Sequence, residues 1–342
     1  METKIRTSEL TKKILQQKEV IMLLLIILIA VVGMIAMPTT FPTANNIIGI
    51  LLSISIETIV AVGMMILLIS GVFDLSVGSV VGISGALATW FITKNHSDPI
   101  VAIPVAIAAA AVIGLINGVF VAKVGINAMI QTLAMMGIVR GFAIIVQGQG
   151  IVSFNEQFNS IGQGKVFGVQ NPIWFMAAIV LIFTLLTTET RYFRKYYFIG
   201  ANEKAAILSG INAKRHIIAG FAITSTLAGL AGVIMAARFG ASVTTAGQGL
   251  EMRVITAVVL GGASLSGGQG SILGALVGTA FMGIVFNFMV LSQVNVYWQD
   301  IILKTLLILA VATDIVIKKR TMKIYTVRER RSPRRKEIPI EK

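Results

Sequence analysis

The chain contains no cysteine, and only two histidines, His96 and His216, in 342 residues. Disulfides, zinc–thiolate centres and cysteine nucleophiles are excluded, and a histidine-rich metal site has too few ligands. Charge is scarce as well: Asp, Glu, Lys and Arg make up 13% of the residues, about half the share typical of soluble domains. Nucleotide-binding signatures are also missing. The stretch GQGKVFG (Gly162 to Gly168) lacks both the upstream glycine and the hydroxyl after Lys165 that a phosphate loop requires. The stretch GGQGSILG (Gly267 to Gly274) holds no G-x-G-x-x-G. No nucleophile–base pairing or metal cluster stands out, so an intramembrane enzyme finds no support.

What is present is apolar. Hydrophobic residues make up 56% of the chain and the mean hydropathy is +0.86. A helix needs roughly 20 apolar residues to cross a hydrocarbon core. Several continuous runs reach or approach that length, whereas a β-barrel would alternate in short segments. The expectation is an all-α, polytopic membrane bundle. Ten spans are read, near 20–37, 47–70, 77–93, 99–122, 126–147, 172–188, 217–239, 254–263, 271–291 and 300–317. They divide the chain into an N-terminal segment 1–19, a transmembrane domain 20–317 and a basic tail 318–342. The first run follows basic residues as a signal peptide would, but it is long and lacks a small-x-small cleavage site, so it is read as a span.

The net charge of +14 is informative through its placement. Lys4, Arg6, Lys12, Lys13 and Lys18 precede the first run. Arg191, Arg194, Lys195, Lys204, Lys214 and Arg215 follow the sixth, and eleven more lie from Lys318 onward. With ten spans all three clusters fall on one side, which the positive-inside rule makes cytoplasmic. The opposite loops are nearly bare: 38–46 has no charge, and 148–170 has only Glu156 and Lys165. The tail KKRTMKIYTVRERRSPRRK is poor in aromatics, which suits contact with anionic membrane lipid and not nucleic acid.

Two glycine- and serine-rich breaks interrupt the apolar pattern, SGVFDLSVGS (Ser70 to Ser79) and GGASLSGGQGS (Gly261 to Ser271). Backbone freed from a helix inside a membrane must be satisfied by protein or by cavity water. Asp74 or Ser76 can cap the helix that starts near Val77. This is either a structural interruption or a half-helix facing a solute path, and the two are compatible. Asp74, Ser76, Gly78, Ser79, Gly268 and Gly270 are the candidate path or broken-helix residues. The pentapeptides GSVVG (Gly78 to Gly82) and GSILG (Gly270 to Gly274) hint at an internal repeat. Glu57, Arg140 and Lys304 lie within spans, where each charge costs at least about 2.5 kcal/mol; Glu57 is expected to pair with Arg140, and Lys304 with Asp300.

The loop YYFIGANEKAAILSGINAKRH (Tyr196 to His216) reads as a short helix of about eight residues. Asn202 is its N-cap, Glu203 stands in its first turn, and Gly210 terminates it. Insertion into a partner's groove and attachment to the membrane surface both suit its apolar face.

The stretches SGVFDLSVGS, GLINGVFVAKVGINAMIQTLAMMGIVRG, IGANEKAAILSGIN and AVVLGGASLSGGQGSILGALVG occur in this order between Ser70 and Gly278, within a likeness that runs from the second span to the tenth. Together they resemble the permease subunits of bacterial ABC importers for monosaccharides, the ribose, galactose, xylose and autoinducer-2 group. Branched-chain amino acid permeases are related to that group, and a branched-chain amino acid or nucleoside permease is the nearest alternative; an ion-coupled secondary carrier is more remote. The resemblance implies a multi-pass protein of the inner membrane that works as a dimer, with a second permease copy or a paralogue. Its partners would be an ATP-binding cassette ATPase and an external solute-binding protein, with no cofactor bound by this chain. It also implies that Gly200, Asn202, Glu203, Ala205, Ala206, Leu208, Gly210 and Ile211 form a coupling helix contacting the ATPase. Two departures stand out: the long basic extension after Ile317, and Asn127–Ala128 where relatives often carry proline.

Overall fold

The computed structural model describes residues 18–331, with side-chain surroundings from 21 to 316. The basic residues from Lys4 to Lys13, and the tail beyond Arg331, lie outside the described residues. Each of the ten apolar runs falls on a helix. In chain order these are α1 (Lys18–Ala36), α2 (Ala44–Ile69), α3 (Val77–Thr93), α4 (Pro99–Val119) and α5 (Ala128–Gln147). The short α6 (Glu156–Gln163) follows, then α7 (Asn171–Glu189), α8 (Arg191–Ala201), α9 (Glu203–Leu208) and α10 (Ala213–Phe239). The last three are α11 (Leu250–Leu260), α12 (Ile272–Leu291) and α13 (Val296–Arg331). Six of them, α2, α4, α5, α7, α10 and α12, are long and apolar enough to cross a membrane; Ile21–Ala36 and α3 are shorter apolar helices. The chain is a polytopic helical bundle.

The helix ends follow local chemistry. Asn127 caps α5 through its side chain, which accepts from the Met129 N–H at 2.9 Å, so the departure from proline there leaves a proper helix start. A single π-helical turn, Phe120–Val124, finishes α4. Helix α8 and four short strands escape the apolar pattern. The amphipathic α8 is rich in charge and aromatics and reads as loop. The two-residue strands Ile151–Val152 (β1) and Ala241–Ser242 (β4) pair antiparallel, as do Lys165–Val166 (β2) and Val169–Gln170 (β3).

The second half of helix α2, beyond Glu57, is apolar on nearly every side and lies at the centre of the bundle. Its residues from Thr58 to Ile69 are buried all round, as a helix without a polar face must be. Around it, α10 runs against α2, α3 and α4, and small residues let the backbones approach. A Cβ on Gly232 of α10 would lie 2.2 Å from the Val81 carbonyl oxygen of α3, so only glycine permits this crossing. In lipid such close packing replaces the hydrophobic drive available in water.

The two glycine-rich breaks share one construction. At the end of α2, the Gly71 N–H donates to the Leu68 carbonyl (3.0 Å) and the Val72 N–H to the Leu67 carbonyl (3.1 Å). At the end of α11, Gly262 donates to Val259 (3.0 Å) and Ala263 to Val258 (3.1 Å). Gly71 and Gly262 both have positive φ, 86° and 104°, so each helix stops in a Schellman turn. Serine stands at the N-cap of the next helix in both cases, Ser76 before α3 and Ser271 before α12. The matching pentapeptides are not themselves equivalent: Gly78 lies inside α3, whereas Gly270 precedes the cap of α12. The likeness lies in the breaks.

Candidate functional site: a helix-break junction and its exposed tip

The eight coupling candidates occupy one continuous segment. Asn202 caps α9, its Oδ1 accepting from the Ala205 N–H at 3.0 Å. Gly210 (φ 80°) terminates it as expected, but the helix has six residues and not eight, because its last turn ends at Leu208 with Ser209 as C-cap. Gly210 donates to the Ile207 carbonyl (2.9 Å) and Ile211 to the Ala206 carbonyl (3.0 Å), a third Schellman turn. Ala206 and Ile211 face inward and pack with Ile199 and Ala213 in a small cluster of their own. Asn202, Glu203 and Ala205 are exposed. Ile207 and Leu208 project outward, and Leu208 is 88% exposed.

Helix α8, immediately before, ties this segment to the bundle. The Tyr196 hydroxyl donates to the His216 carbonyl (2.9 Å), and the Tyr197 hydroxyl to the Gly270 carbonyl (3.0 Å). Burial, with a smaller effect from Tyr192, pushes the Tyr196 phenol well above its usual range, so it remains a donor at physiological pH. Tyr192 stacks on His216 with ring centroids 4.7 Å apart.

Gly200 is where both helix breaks meet the segment. A Cβ there would lie 1.9 Å from the Ile69 carbonyl oxygen at the end of α2, and 2.5 Å from the Gly268 nitrogen in the second break. The Gly268 N–H in turn donates to the Ile69 carbonyl at 2.8 Å. Three backbones therefore meet with no side chain between them: the end of α8, the end of α2 and the loop after α11. Gly268 and Gly270 belong to this junction.

Asp74, Ser76 and Ser79 lie deeper. Asp74 and Ser76 are fully buried. Asp74 Oδ1 accepts from the Ser76 N–H (2.7 Å) and the Ser76 hydroxyl (2.6 Å), while the Ser76 side chain itself makes no cap bond. Asn117 of α4 donates to Ser76 Oγ (3.0 Å) and Gln131 of α5 to Asn117 Oδ1 (3.2 Å). The cluster ties the start of α3 to α4 and α5. Ser79 donates to the Met136 carbonyl of α5 (2.9 Å). Gly78 abuts the start of α11, where a Cβ would lie 2.2 Å from Glu251 Oε2 and 2.3 Å from the Gly247 carbonyl.

The expected Glu57–Arg140 pair does not form. Glu57 pairs with Arg253 of α11, Nε to Oε1 at 3.2 Å. Arg140 instead donates to the Ala246 carbonyl at 2.7 Å and lies within electrostatic range of Glu251. The sequence shows which charges need partners but not that the loop before α11 dips into the bundle to supply them. Lys304 and Asp300 pair as expected.

Comparison with known proteins agrees with this architecture. Residues 46–311 match the family described as branched-chain amino acid transport system / permease component. The chain belongs to this family. The ribose import permease protein RbsC of Escherichia coli (strain K12) is 38% identical over 296 residues, covering 84% of this chain and 92% of that protein. The L-arabinose ABC transporter permease protein AraH of Azospirillum brasilense is 39% identical over 287 residues, 83% and 84% of the two chains. The D-allose transport system permease protein AlsC of Escherichia coli (strain K12) is 32% identical over 293 residues, 85% and 90%. No solved structure matches the chain.

Proposed function

We propose that this chain is the membrane-embedded permease subunit of an ATP-driven importer, and that its cargo is a monosaccharide. It would sit in the inner membrane as ten spans with both termini cytoplasmic. A cytoplasmic ATPase would supply the energy, an external binding protein the sugar, and a second permease subunit the other half of the path. The carrying observation is the Gly200–Ile211 segment: a capped helix with an apolar tip at Ile207 and Leu208, joined through Gly200 to both helix breaks. Such a segment suits insertion into a cytosolic partner. The exposed tip at Ile207 and Leu208 and the packing of Ala206 and Ile211 against Ile199 and Ala213 support it over a helix lying flat on lipid, because the inner face is anchored to the bundle and the apolar tip points away from it.

The family description names branched-chain amino acids, but the three relatives described above bear the names of ribose, arabinose and allose. A sugar is therefore the favoured cargo. The test is reconstitution of the chain with its ATPase and binding protein in liposomes. Radiolabelled D-ribose, L-arabinose, D-allose and L-leucine are supplied in turn. Uptake of one of the sugars that requires ATP and all components is expected. Uptake by the chain alone under an ion gradient would overturn the reading, and preferential uptake of L-leucine would overturn the choice of cargo.

A further inference from the structure

A cleft of about 810 Å³ opens between α11, α12 and α13. Its walls carry Glu251, Arg253, Thr256, Phe286, Asp300 and Lys304. A smaller hollow of about 90 Å³ continues from it, sharing Arg253 and Phe286 and reaching Glu57. The cleft extends from the loop joining α12 and α13 down to the Glu57–Arg253 pair. Glu57 lies twelve residues before Ile69 on α2, about 18 Å along the axis from the junction that holds α9. The cleft therefore opens at the end of the bundle opposite α9 and stops near mid-depth.

Its chemistry is incompatible with lipid. Asp300 and Lys304 have side chains 60% and 62% exposed, one to two turns inside α13, and Arg253 is 35% exposed. A charge facing hydrocarbon at the bilayer centre costs at least about 2.5 kcal/mol; Arg253 lies near mid-depth and is part-exposed, so the inner end of the cleft faces water, and the exposed Asp300–Lys304 pair continues that polar wall outward. The walls carry both signs of charge, with Lys304 paired to Asp300 and Arg253 to Glu57 at the inner end, so donors and acceptors face the cleft without a large uncompensated field. That suits a neutral solute, while Phe286 supplies an apolar platform for the C–H face of a sugar ring. The volume exceeds that of a single hexose, as a transient site requires, because tight enclosure would slow release.

We infer that this cleft is the water-filled outer vestibule of the translocation route, and that it takes a neutral monosaccharide between the Phe286 ring and the charged walls. This rests on the permease reading above. Asp74 plays no part in it and is a structural lock, since the cleft walls do not include it.

The absence of cysteine from the chain makes the test direct. Leu303→Cys and Val290→Cys, both in the cleft wall, are each expressed in the complete transporter in cells. The cells are then exposed to an impermeant, cationic methanethiosulfonate reagent. Leu181→Cys on the outer face of α7, 61% exposed, sets the background rate for a lipid-facing position. Labelling at 303 and 290 well above that background is expected, together with loss of most sugar uptake relative to the same variant before treatment. Labelling no faster than at 181, in cells whose wild-type transporter takes up sugar, would overturn the inference. It would mean that lipid or the second permease copy covers the cleft. Phe286→Ala is expected to lower uptake at subsaturating sugar about two- to tenfold with normal abundance in the membrane; unchanged uptake would overturn the sugar platform. A wild-type complex with no ATP-dependent sugar uptake would instead sink the underlying permease reading, whatever the labelling pattern.

Discussion

Single atoms decide the most sensitive positions. At Gly200 a methyl group would collide with the backbone on two sides, and neither the Ile69 carbonyl nor the Gly268 amide can turn away without breaking its bond. Gly200→Ala is expected to fold in the membrane but to abolish sugar-stimulated ATP hydrolysis by the complex, a measurement on purified transporter. At Asp74 the carboxylate holds the Ser76 amide and hydroxyl. Asp74→Leu leaves both unpaired at a cost of about 1–3 kcal/mol each, so reduced abundance and thermal stability are expected, whereas Asp74→Asn, which keeps an acceptor, retains most of both. Equal behaviour of the two variants in a thermal-shift assay would contradict this account. The sequence discloses some of these roles and conceals others. Asn202 and Gly210 are legible because a cap and a left-handed terminator act on neighbouring residues. The need for glycine at 200 is not, because it arises from two backbones distant in sequence. The mispairing of Glu57 has the same origin: charge balance is visible along the chain, but the partner depends on which helix, here α11 with Arg253, packs beside α2.

At the scale of elements, α9 and α11 carry the clearest expectations. Leu208 contributes to no cluster of the bundle and is almost wholly exposed. Leu208→Glu is therefore expected to leave stability within about 0.5 kcal/mol yet to stop the ATPase copurifying with the membrane subunit. Retention of the ATPase would remove α9 from the interface. Arg253→Met strips Glu57 of its partner in a half-buried setting, and on the order of 1–3 kcal/mol of stability should be lost; removing both charges with Glu57→Met as well should recover part of it. The long apolar helices were readable from composition, and α3 begins and ends where its pattern changes. Helix α8 was not, because its aromatics and arginines satisfy an interfacial position and leave no apolar run. The re-entrant loop before α11 gave no signal either, since short polar stretches look alike whether they sit in water or against buried carbonyls.

For the molecule as a whole, the proposed orientation rests on the placement of the lysines and arginines. With ten spans, a fluorescent protein fused after Lys342 should mature in the cytoplasm, and alkaline phosphatase at the same place should stay inactive; the reverse pattern would invert the topology and put α9 outside. The general architecture could be read from where charge is absent, but the meeting of two broken helices under one short helix could not, because only packing brings them together. The bare apolar tip at Ile207 and Leu208 also bears on the life of the subunit in a cell. Synthesised without its ATPase, the chain would show quality-control proteases and chaperones an oily knob on the cytosolic side. Its half-life should therefore shorten when the ATPase gene is deleted and return to normal on re-expression, so that stoichiometry is enforced by destruction of the unpaired surplus.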